Sequence, residues 1–169
     1  TEQLRPLLRC SAATARVINV VSGGMYTQKL HCDDLIMSEN DYDGTVAYAR
    51  AKRALTVLTE HWAQQWAGDN IVVNSMHPGW ADTPGVQNAL PGFRRVTKKV
   101  LRTPDEGADT VIWLARATEA DQLTGKLFLD REPRTTHLRA RTRENEGERG
   151  RLPEWLSDTY DALALDAEG

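Results

Sequence analysis

Two short runs of β-branched residues mark the candidate strands of this chain. Residues 16–21 have the sequence Arg-Val-Ile-Asn-Val-Val and stop at Ser22, and residues 71–76 have the sequence Ile-Val-Val-Asn-Ser-Met and stop at His77. Nearly continuous apolar runs bounded by turn residues are typical of strands buried on both faces of a sheet. The sequence therefore predicts two buried strands at these positions.

A long helix is predicted between the two strands. Ala51, Leu55, Leu58 and Trp62 recur at helical spacing and form one apolar stripe over about residues 46–66. A helix of this length can connect two neighbouring parallel strands. The pattern predicts an α/β fold with a parallel sheet, in which ligands bind beyond the carboxyl ends of the strands.

Further elements are predicted on either side of this unit. Thr103 and Glu106 have the spacing of a capping box, which predicts that a helix begins there. The alternation of Arg and Glu late in the chain is typical of a solvated linker. The sequence thus predicts a short helix at 2–9, a strand at 126–129, one folded domain over 1–138, a charged linker at 139–151 and a helical tail at 152–169. Within this tail, the amphipathic segment 155–165 is predicted to dock back.

Length and composition exclude several function classes. The chain has 169 residues, about one domain, and its formal net charge of −3 gives no bulk attraction for nucleic acid or anionic lipid. The apolar runs are too short to span a bilayer, and the two cysteines and four histidines lack disulfide or metal-ligand spacing. We expect a cytoplasmic protein with no metal site, no membrane span and no nucleic-acid partner.

The most informative side chains are Tyr48 and Lys52, at the start of the predicted long helix. Residues four apart share a helix face, so the phenol and the ammonium can point together toward the end of the preceding strand. A cation beside a phenol favours the phenolate, lowers the pKa and makes the group a usable acid/base near neutral pH. Ser22, at the carboxyl end of that strand, can donate a hydrogen bond to the same substrate oxygen.

Tyr and Lys at this spacing are also common on helix surfaces, so the pair alone is not diagnostic. The order of the motifs is more informative. A strand ending in Ser22, the Tyr48–Lys52 helix, a second strand and the Pro78-Gly79 turn follow one another. This order resembles the carboxyl-terminal half of the short-chain dehydrogenase/reductase family over about residues 2–130. Several stretches also resemble one branch of it: Ser-Gly-Gly-Met at 22–25, Gln-Lys-Leu at 28–30, Asp-Asp-Leu at 33–35, Asp-Gly-Thr at 43–45 and the run at 77–85.

The resemblance implies a reaction and a set of roles. It implies that a carbonyl and an alcohol are interconverted with NAD or NADP. Tyr48 would be the acid/base, Lys52 would lower the pKa of the phenol and hold the nicotinamide ribose, and Ser22 would orient the substrate carbonyl. The implied cofactor-binding residues are Tyr48, Lys52, Pro78, Gly79 and Thr83. The nicotinamide would carry the redox chemistry, and the protein would supply orientation and electrostatics.

The chain departs from the family pattern at its amino-terminal side. It contains no Gly-x-Gly triplet, so it lacks the glycine-rich turn that accepts a dinucleotide pyrophosphate. The resemblance therefore implies the carboxyl-terminal part of a doubly wound, parallel-sheet Rossmann-type α/β fold with the amino-terminal half absent. The sequence is either a fragment or a natural short form, and its start without Met favours the fragment.

Two other readings of the function stay open from the sequence. One is a truncated, catalytically inactive protein that serves as a dimerisation or partner-binding module, including self-association into a homo-oligomer. Cofactor binding separates this module from an enzyme. The other is a hydrolase built on Ser22, but Val20 stands where the nucleophile motif Gly-x-Ser-x-Gly requires its first glycine.

Overall fold

The part of the chain that the structure describes forms a four-stranded mixed sheet with helices on both faces. The structure is a computed structural model that describes residues 1–33, 35–80 and 101–168. The strands are β1 (Ala15–Val20), β2 (Ile71–Met76), β3 (Leu127–Leu129) and β4 (Glu132–Arg134). Within these ranges the α-helices are α1 (Arg5–Arg9), α2 (Gly44–Gln65), α3 (Pro104–Arg116) and α4 (Glu146–Glu168).

The sheet has the order β1-β2-β3-β4, and its first three strands are parallel. β1 and β2 pair in register along their whole length, from Ala15 opposite Ile71 to Val20 opposite Met76. The predicted pairing of these two strands, with a long helix between them in sequence, is confirmed. The result is a mixed α/β fold with a parallel, Rossmann-like core.

Each face of the sheet packs against a different helix. Val17 and Val73 lie in the cluster formed with the apolar stripe of α2, including Val57. Ile18 and Met76 lie on the other face, in the cluster that contains Leu114 of α3. Successive side chains of a strand point to opposite faces, so both faces need apolar residues. This explains the nearly continuous apolar runs in the sequence.

The helices α2 and α3 both begin at side-chain caps. The Asp43 carboxylate accepts hydrogen bonds from the backbone amides of Thr45 and Val46, so α2 begins at Gly44, two residues before the predicted start. Thr103 and Glu106 form the predicted capping box at the start of α3. These caps satisfy amides that have no partner within the helix.

β1 differs from its predicted environment. Its central residues are half-buried and Val20 is 44% exposed, although the sequence predicts a strand buried on both faces. The reason is its place in the sheet: among the described residues β1 pairs with β2 on one side only, so it forms an edge. An edge strand shares fewer neighbours than a central strand of the same sequence.

The sequence pattern missed β4, which pairs antiparallel with β3. Asp130 and Arg131 form the turn between them with left-handed backbone angles, φ 57° and 59°. Such turns are usually recognised by Asn-Gly or Asp-Gly, and neither occurs here. Pro133 lies in β4, a position that suits an edge strand because proline cannot donate to a ladder.

The predicted linker at 139–151 is wrong as a description of this segment. Residues 140–142 form a turn of 3-10 helix, and α4 already begins at Glu146. The side chain of Glu144 is almost fully buried, and Arg149 bridges Glu144 and Glu60 of α2 at 2.7 and 2.5 Å. The alternating charges pair with one another and with α2, so the segment is held against the domain.

The first turns of α4, rather than the whole predicted segment 155–165, pack against the domain. Leu152 is 0% exposed and belongs to the core cluster of α2 and the sheet, and Leu156 packs against the same cluster. Leu163, further along α4, is 63% exposed. The first turns of α4 are therefore the part that completes the core.

Replacing Leu152 by Ala should lower the free energy of unfolding of the chain by about 2–5 kcal/mol, because it removes buried methyl groups and leaves a cavity. The matched control Leu163→Ala, on the same helix at an exposed position, should change it by less than about 0.5 kcal/mol. Urea denaturation followed by circular dichroism measures both. Equal effects of the two substitutions would contradict the docking of α4.

Candidate active site

The candidate site lies at the carboxyl ends of β1 and β2. Because Val20 lies opposite Met76, the two strands end at the same level of the sheet. The Val21 amide continues the pairing by donating to the Met76 carbonyl at 2.8 Å. The chain then leaves β1 through Ser22 and leaves β2 through Pro78 and Gly79. The residues predicted from two distant parts of the sequence thus emerge side by side.

Tyr48 and Lys52 come together on the first turns of α2. The Lys52 ammonium lies 5.5 Å from the centroid of the Tyr48 ring and donates a hydrogen bond of 3.0 Å to the Val20 carbonyl. Tyr48 is 53% exposed, so its ring is accessible from solvent. An ammonium has three donors, and the bond to Val20 leaves others directed elsewhere. The helix therefore presents a phenol and an anchored cation at the end of β1.

Ser22 begins a short 3-10 helix, Gly23–Thr27, and caps it. Its hydroxyl oxygen accepts a hydrogen bond of 3.3 Å from the Gly24 amide. A side chain built at Gly24 would place its Cβ 3.8 Å from Ser22 Oγ and 3.7 Å from the Cβ of Ala49, the residue after Tyr48. Residues 22–28, which we call the serine loop, therefore pack closely against the first turns of α2. Accepting the capping bond leaves the Ser22 proton as a donor.

Gly79 has a backbone that other residues adopt rarely. Its φ of 73° is left-handed, and an added Cβ would lie 2.9 Å from Arg102 Nε. Arg102 is held there by two hydrogen bonds to the Asp130 carboxylate, at 2.5 and 2.8 Å. The Arg102 guanidinium holds the pKa of Asp130 below its usual value. The turn after β2 therefore favours glycine at position 79, both for its backbone angle and because Arg102 occupies the space of a side chain. The ion pair of Arg102 with Asp130 supports this turn.

His77, directly before this turn, is a buried neutral side chain. Its Nδ1 accepts a hydrogen bond of 3.3 Å from the Gly79 amide, and its ring meets Tyr26 edge-on. Burial, together with the nearby charge of Arg102, lowers the pKa of His77 below its ordinary value of 6.5. An acceptor at Nδ1 requires the neutral ring with its proton on Nε2. His77 thus shapes the turn as a hydrogen-bond acceptor.

Tyr26 is a second phenol near the site, but its surroundings differ from those of Tyr48. Its hydroxyl donates a hydrogen bond of 2.8 Å to the Thr135 carbonyl. Burial raises the pKa of Tyr26 above its ordinary value of 10.0. Both effects keep Tyr26 a neutral donor. Tyr48 is therefore the better candidate for proton exchange with a substrate.

Arg53 is a buried residue at the site that sequence reasoning missed. It is 0% exposed and donates hydrogen bonds to the carbonyls of Met25, Gln28 and Thr136. Burial lowers the pKa of its guanidinium, and nearby carboxylates of Glu144 and Glu60 oppose that effect. An arginine on a helix usually indicates a solvated face, so no signal in the pattern identified it.

Thr83, one of the predicted cofactor-binding residues, lies outside the described residues. Within the described ranges, no three or more His, Cys, Asp or Glu side chains are placed to hold a metal ion. Over the same part of the chain, no helix is both long and apolar enough to cross a bilayer.

Comparisons with known proteins converge on one group. Residues 13–129 match the family model described as Enoyl-(Acyl carrier protein) reductase. The human and bovine proteins named dehydrogenase/reductase SDR family member 12 are 51% identical over 124 residues and 48% identical over 145 residues. These matches cover 73% and 85% of this chain. Human retinol dehydrogenase 14 is 34% identical over 77% of the chain.

Solved structures show the same architecture. The Pseudomonas aeruginosa RhlG/NADP active-site complex aligns with a TM-score of 0.55 and 28% identity, over 75% of this chain and 50% of that one. The 3-ketoacyl-(acyl-carrier-protein) reductase of Brucella melitensis complexed with NADH has a TM-score of 0.56 over 76% of this chain and 48% of that one. At 19% identity, the second likeness concerns the fold alone.

The chain is much shorter than the curated relatives that it matches. Its matches cover 38% of the human member 12 protein, 45% of the bovine one and 40% of human retinol dehydrogenase 14.

The buried state of His77 predicts a pH dependence of stability. Because the folded state lowers its pKa, the unfolded chain binds more protons just below pH 6.5, and the free energy of unfolding should fall as the pH drops from 7.5 to 5.5. His77→Asn keeps an acceptor near the position of Nδ1 but does not titrate. Urea denaturation across this range should show a shallower decline for the variant. An unchanged decline would mean that His77 is not held neutral in the fold.

Proposed function

The chain belongs to the short-chain dehydrogenase/reductase family and lies near the branch of member 12, as its motifs indicated, and on this premise we propose that it forms the catalytic part of an NAD(P)-dependent oxidoreductase. The proposed reaction interconverts a carbonyl and an alcohol. The observation that carries the proposal is the Lys52 ammonium, anchored on the Val20 carbonyl at 3.0 Å and 5.5 Å from the Tyr48 ring centroid.

Tyr48 is proposed as the acid/base. In carbonyl reduction its hydroxyl gives a proton to the substrate oxygen as that oxygen becomes an alcohol, and in the reverse direction the phenolate takes the proton back. The Lys52 cation favours the phenolate, because an opposite charge stabilises the ionised form. The bond to Val20 fixes the cation, so this stabilisation does not depend on ordering a free lysine during the reaction.

Ser22 is proposed to hold the substrate oxygen from the other side. The capping bond from Gly24 fixes its oxygen and leaves its proton as a donor. Two donors that converge on one oxygen polarise the carbonyl and stabilise the negative charge that develops there. Ser22 and Tyr48 would thus share the work on one atom, with different roles.

The described residues fit the nicotinamide-ribose part of a dinucleotide. Lys52 offers further donors for ribose hydroxyls, and the left-handed Gly79 brings backbone to the edge of the sheet without a Cβ. Tyr48, Lys52, Pro78 and Gly79 would hold this part of the cofactor, with Thr83 as a further contact. When bound, a nicotinamide supplies or accepts the hydride that the protein side chains cannot carry.

The phosphate-binding part of the cofactor is proposed to bind elsewhere. The 169 residues contain no Gly-x-Gly turn, and the matches cover less than half of the length of the human and bovine member 12 proteins. We therefore infer that activity requires an amino-terminal half that supplies the phosphate-binding turn. We call this chain, preceded by an amino-terminal half that carries the phosphate-binding turn, the completed protein.

The proposed substrate is a lipophilic aldehyde, ketone or alcohol. Trp80 follows the Pro78-Gly79 turn and is 48% exposed, and the exposed ring of Tyr48 lies at the same edge of the sheet. Exposed aromatic rings beside a polar pair suit a ligand with an apolar body and one oxygen. Among the relatives, human retinol dehydrogenase 14 and human polyprenol dehydrogenase carry names of such alcohols.

The isolated chain should bind NADH and NADPH only weakly, because the cofactor loses its pyrophosphate contacts with the missing turn. Titration of either cofactor, followed by nicotinamide fluorescence, should show no saturation in the micromolar range. The completed protein is the matched positive control and should saturate. Micromolar binding by the isolated chain would contradict the division of the cofactor site.

Tyr48→Phe in the completed protein should lower turnover by about 10²- to 10⁴-fold, because it removes only the proton donor. Cofactor affinity should change little. Lys52→Ala should lower both turnover and cofactor affinity, since it removes the cation and the ribose contact. Ser22→Ala should lower turnover with cofactor affinity unchanged. Oxidation of NADH or NADPH, with decanal and retinal as probe substrates, measures all three variants.

Wild-type turnover in Tyr48→Phe would mean that the proton comes from another group, and the assignment of the acid/base would be wrong. Tyr160→Phe is the matched control, since it removes the hydroxyl of another exposed tyrosine, on α4. It should retain wild-type turnover, because α4 contributes no side chain to the proposed site.

A further inference from the structure

We propose that Arg53 is a positioning residue that locks the serine loop, residues 22–28, to the helix that carries Tyr48 and Lys52. The inference rests on the proposed function and adds a residue to it. Arg53 directly follows Lys52 in the sequence, yet it points into the protein, whereas Lys52 reaches the site edge.

The contacts of Arg53 are concentrated on the serine loop. Nε and Nη2 donate to the Met25 carbonyl at 3.2 and 3.0 Å, and Nε also donates to the Gln28 carbonyl at 3.1 Å. Of the four hydrogen bonds that Arg53 donates to described residues, three thus end on the carbonyls of Met25 and Gln28 in the serine loop. A planar guanidinium offers its donors in a fixed fork, so these carbonyls are held in one relative position.

The loop is held at a second point next to Arg53. The Thr56 hydroxyl, one turn further along α2, lies 2.9 Å from the Met25 sulfur and 2.9 Å from the Lys52 carbonyl, and its one proton is shared between these two acceptors. Met25 is 0% exposed. Its carbonyl and its side chain are therefore both attached to α2. Since Met25 lies three residues after Ser22, little freedom is left between the serine and the helix.

The carboxyl-terminal segment completes the lock. Nη1 of Arg53 donates to the Thr136 carbonyl at 2.8 Å, and Tyr26 of the serine loop donates to the neighbouring Thr135 carbonyl. Beyond these residues, Glu144 and Glu60 provide the negative charge that faces the buried guanidinium. Arg149 in turn bridges both carboxylates. The loop, α2 and the segment before α4 thus meet at one buried cation.

This arrangement gives Arg53 a role in geometry rather than in proton transfer. Tyr48 and Lys52 are placed by α2 itself, whereas Ser22 reaches the site from β1 and a loop. Orientation of a reacting group within fractions of an ångström is worth orders of magnitude in rate. Arg53 joins the two sources of site residues into one rigid unit.

The test uses the completed protein with Arg53→Lys, which keeps the charge but loses the fork. It should lower kcat about ten- to hundred-fold while KM for NADH or NADPH stays within about twofold. Arg53→Met should do the same or more. The matched control is Arg16→Met, which removes a half-buried arginine bonded to the Leu114 carbonyl and to Asp121 on the far side of β1. It should lower stability and leave kcat within about twofold.

A double-mutant cycle separates positioning from general stability. If Arg53 acts through Ser22, Arg53→Lys should cost little further kcat once Ser22→Ala is present. Additive losses in the double variant would overturn the proposal. So would equal kcat losses in Arg53→Lys and Arg16→Met at equal stability.

Hydrogen exchange gives a readout that does not depend on activity. Arg53→Lys should speed exchange in peptides covering 22–28 and 135–138, and leave the β2 amides protected. Unchanged exchange in these peptides would overturn the proposal even if kcat falls. If the wild type turns over and Tyr48→Phe loses turnover while Arg53→Lys keeps it, the role of Arg53 is overturned and the proposed function stands. Wild-type turnover that survives Tyr48→Phe would overturn the proposed function and this role with it.

Discussion

The in-register pairing of β1 and β2 is the constraint on which the site depends. It makes two strands, separated by more than fifty residues, end at the same level of the sheet. Ser22 and the Pro78-Gly79 turn are neighbours only because of this level. A shift by one residue would turn each side chain of the shifted strand to the opposite face, so Val73 would leave the cluster with α2 and Met76 would leave the cluster with Leu114.

α2 places Tyr48 and Lys52 at the edge where β1 and β2 end. Its cap at Asp43 sets where the helix begins, and the start of the helix sets which turn faces the end of β1. Lys52 then reaches the Val20 carbonyl, and Arg53 turns inward. Adjacent residues on one helix thus serve opposite environments, because successive side chains are about 100° apart around the axis.

Most of the fold could be predicted from the sequence because it depends on periodicity. The two strands, the long helix and the capping box at Thr103 each have a local pattern with a physical cause. The placement of Tyr48, Lys52 and Ser22 at one edge followed from topology, while their proposed roles came from the family resemblance. What the pattern could not reveal was pairing between distant charges. Arg53 and the segment at 139–151 have the composition of solvated surface, and only the fold shows which carbonyls and carboxylates surround them.

At the turn between β3 and β4, glycine would suit the backbone angles but would remove two ion pairs. Asp130 and Arg131 both have left-handed angles, which glycine adopts at less cost. Each also makes an ion pair, Asp130 with Arg102 and Arg131 with Asp109 of α3. Glycine would relax the local backbone and release both tethers, including the brace behind Gly79. Sequence variation at this turn is therefore expected to preserve charge rather than flexibility. An engineered Asn-Gly hairpin at 130–131 would release Arg102 and leave the turn at Gly79, after β2, without its support.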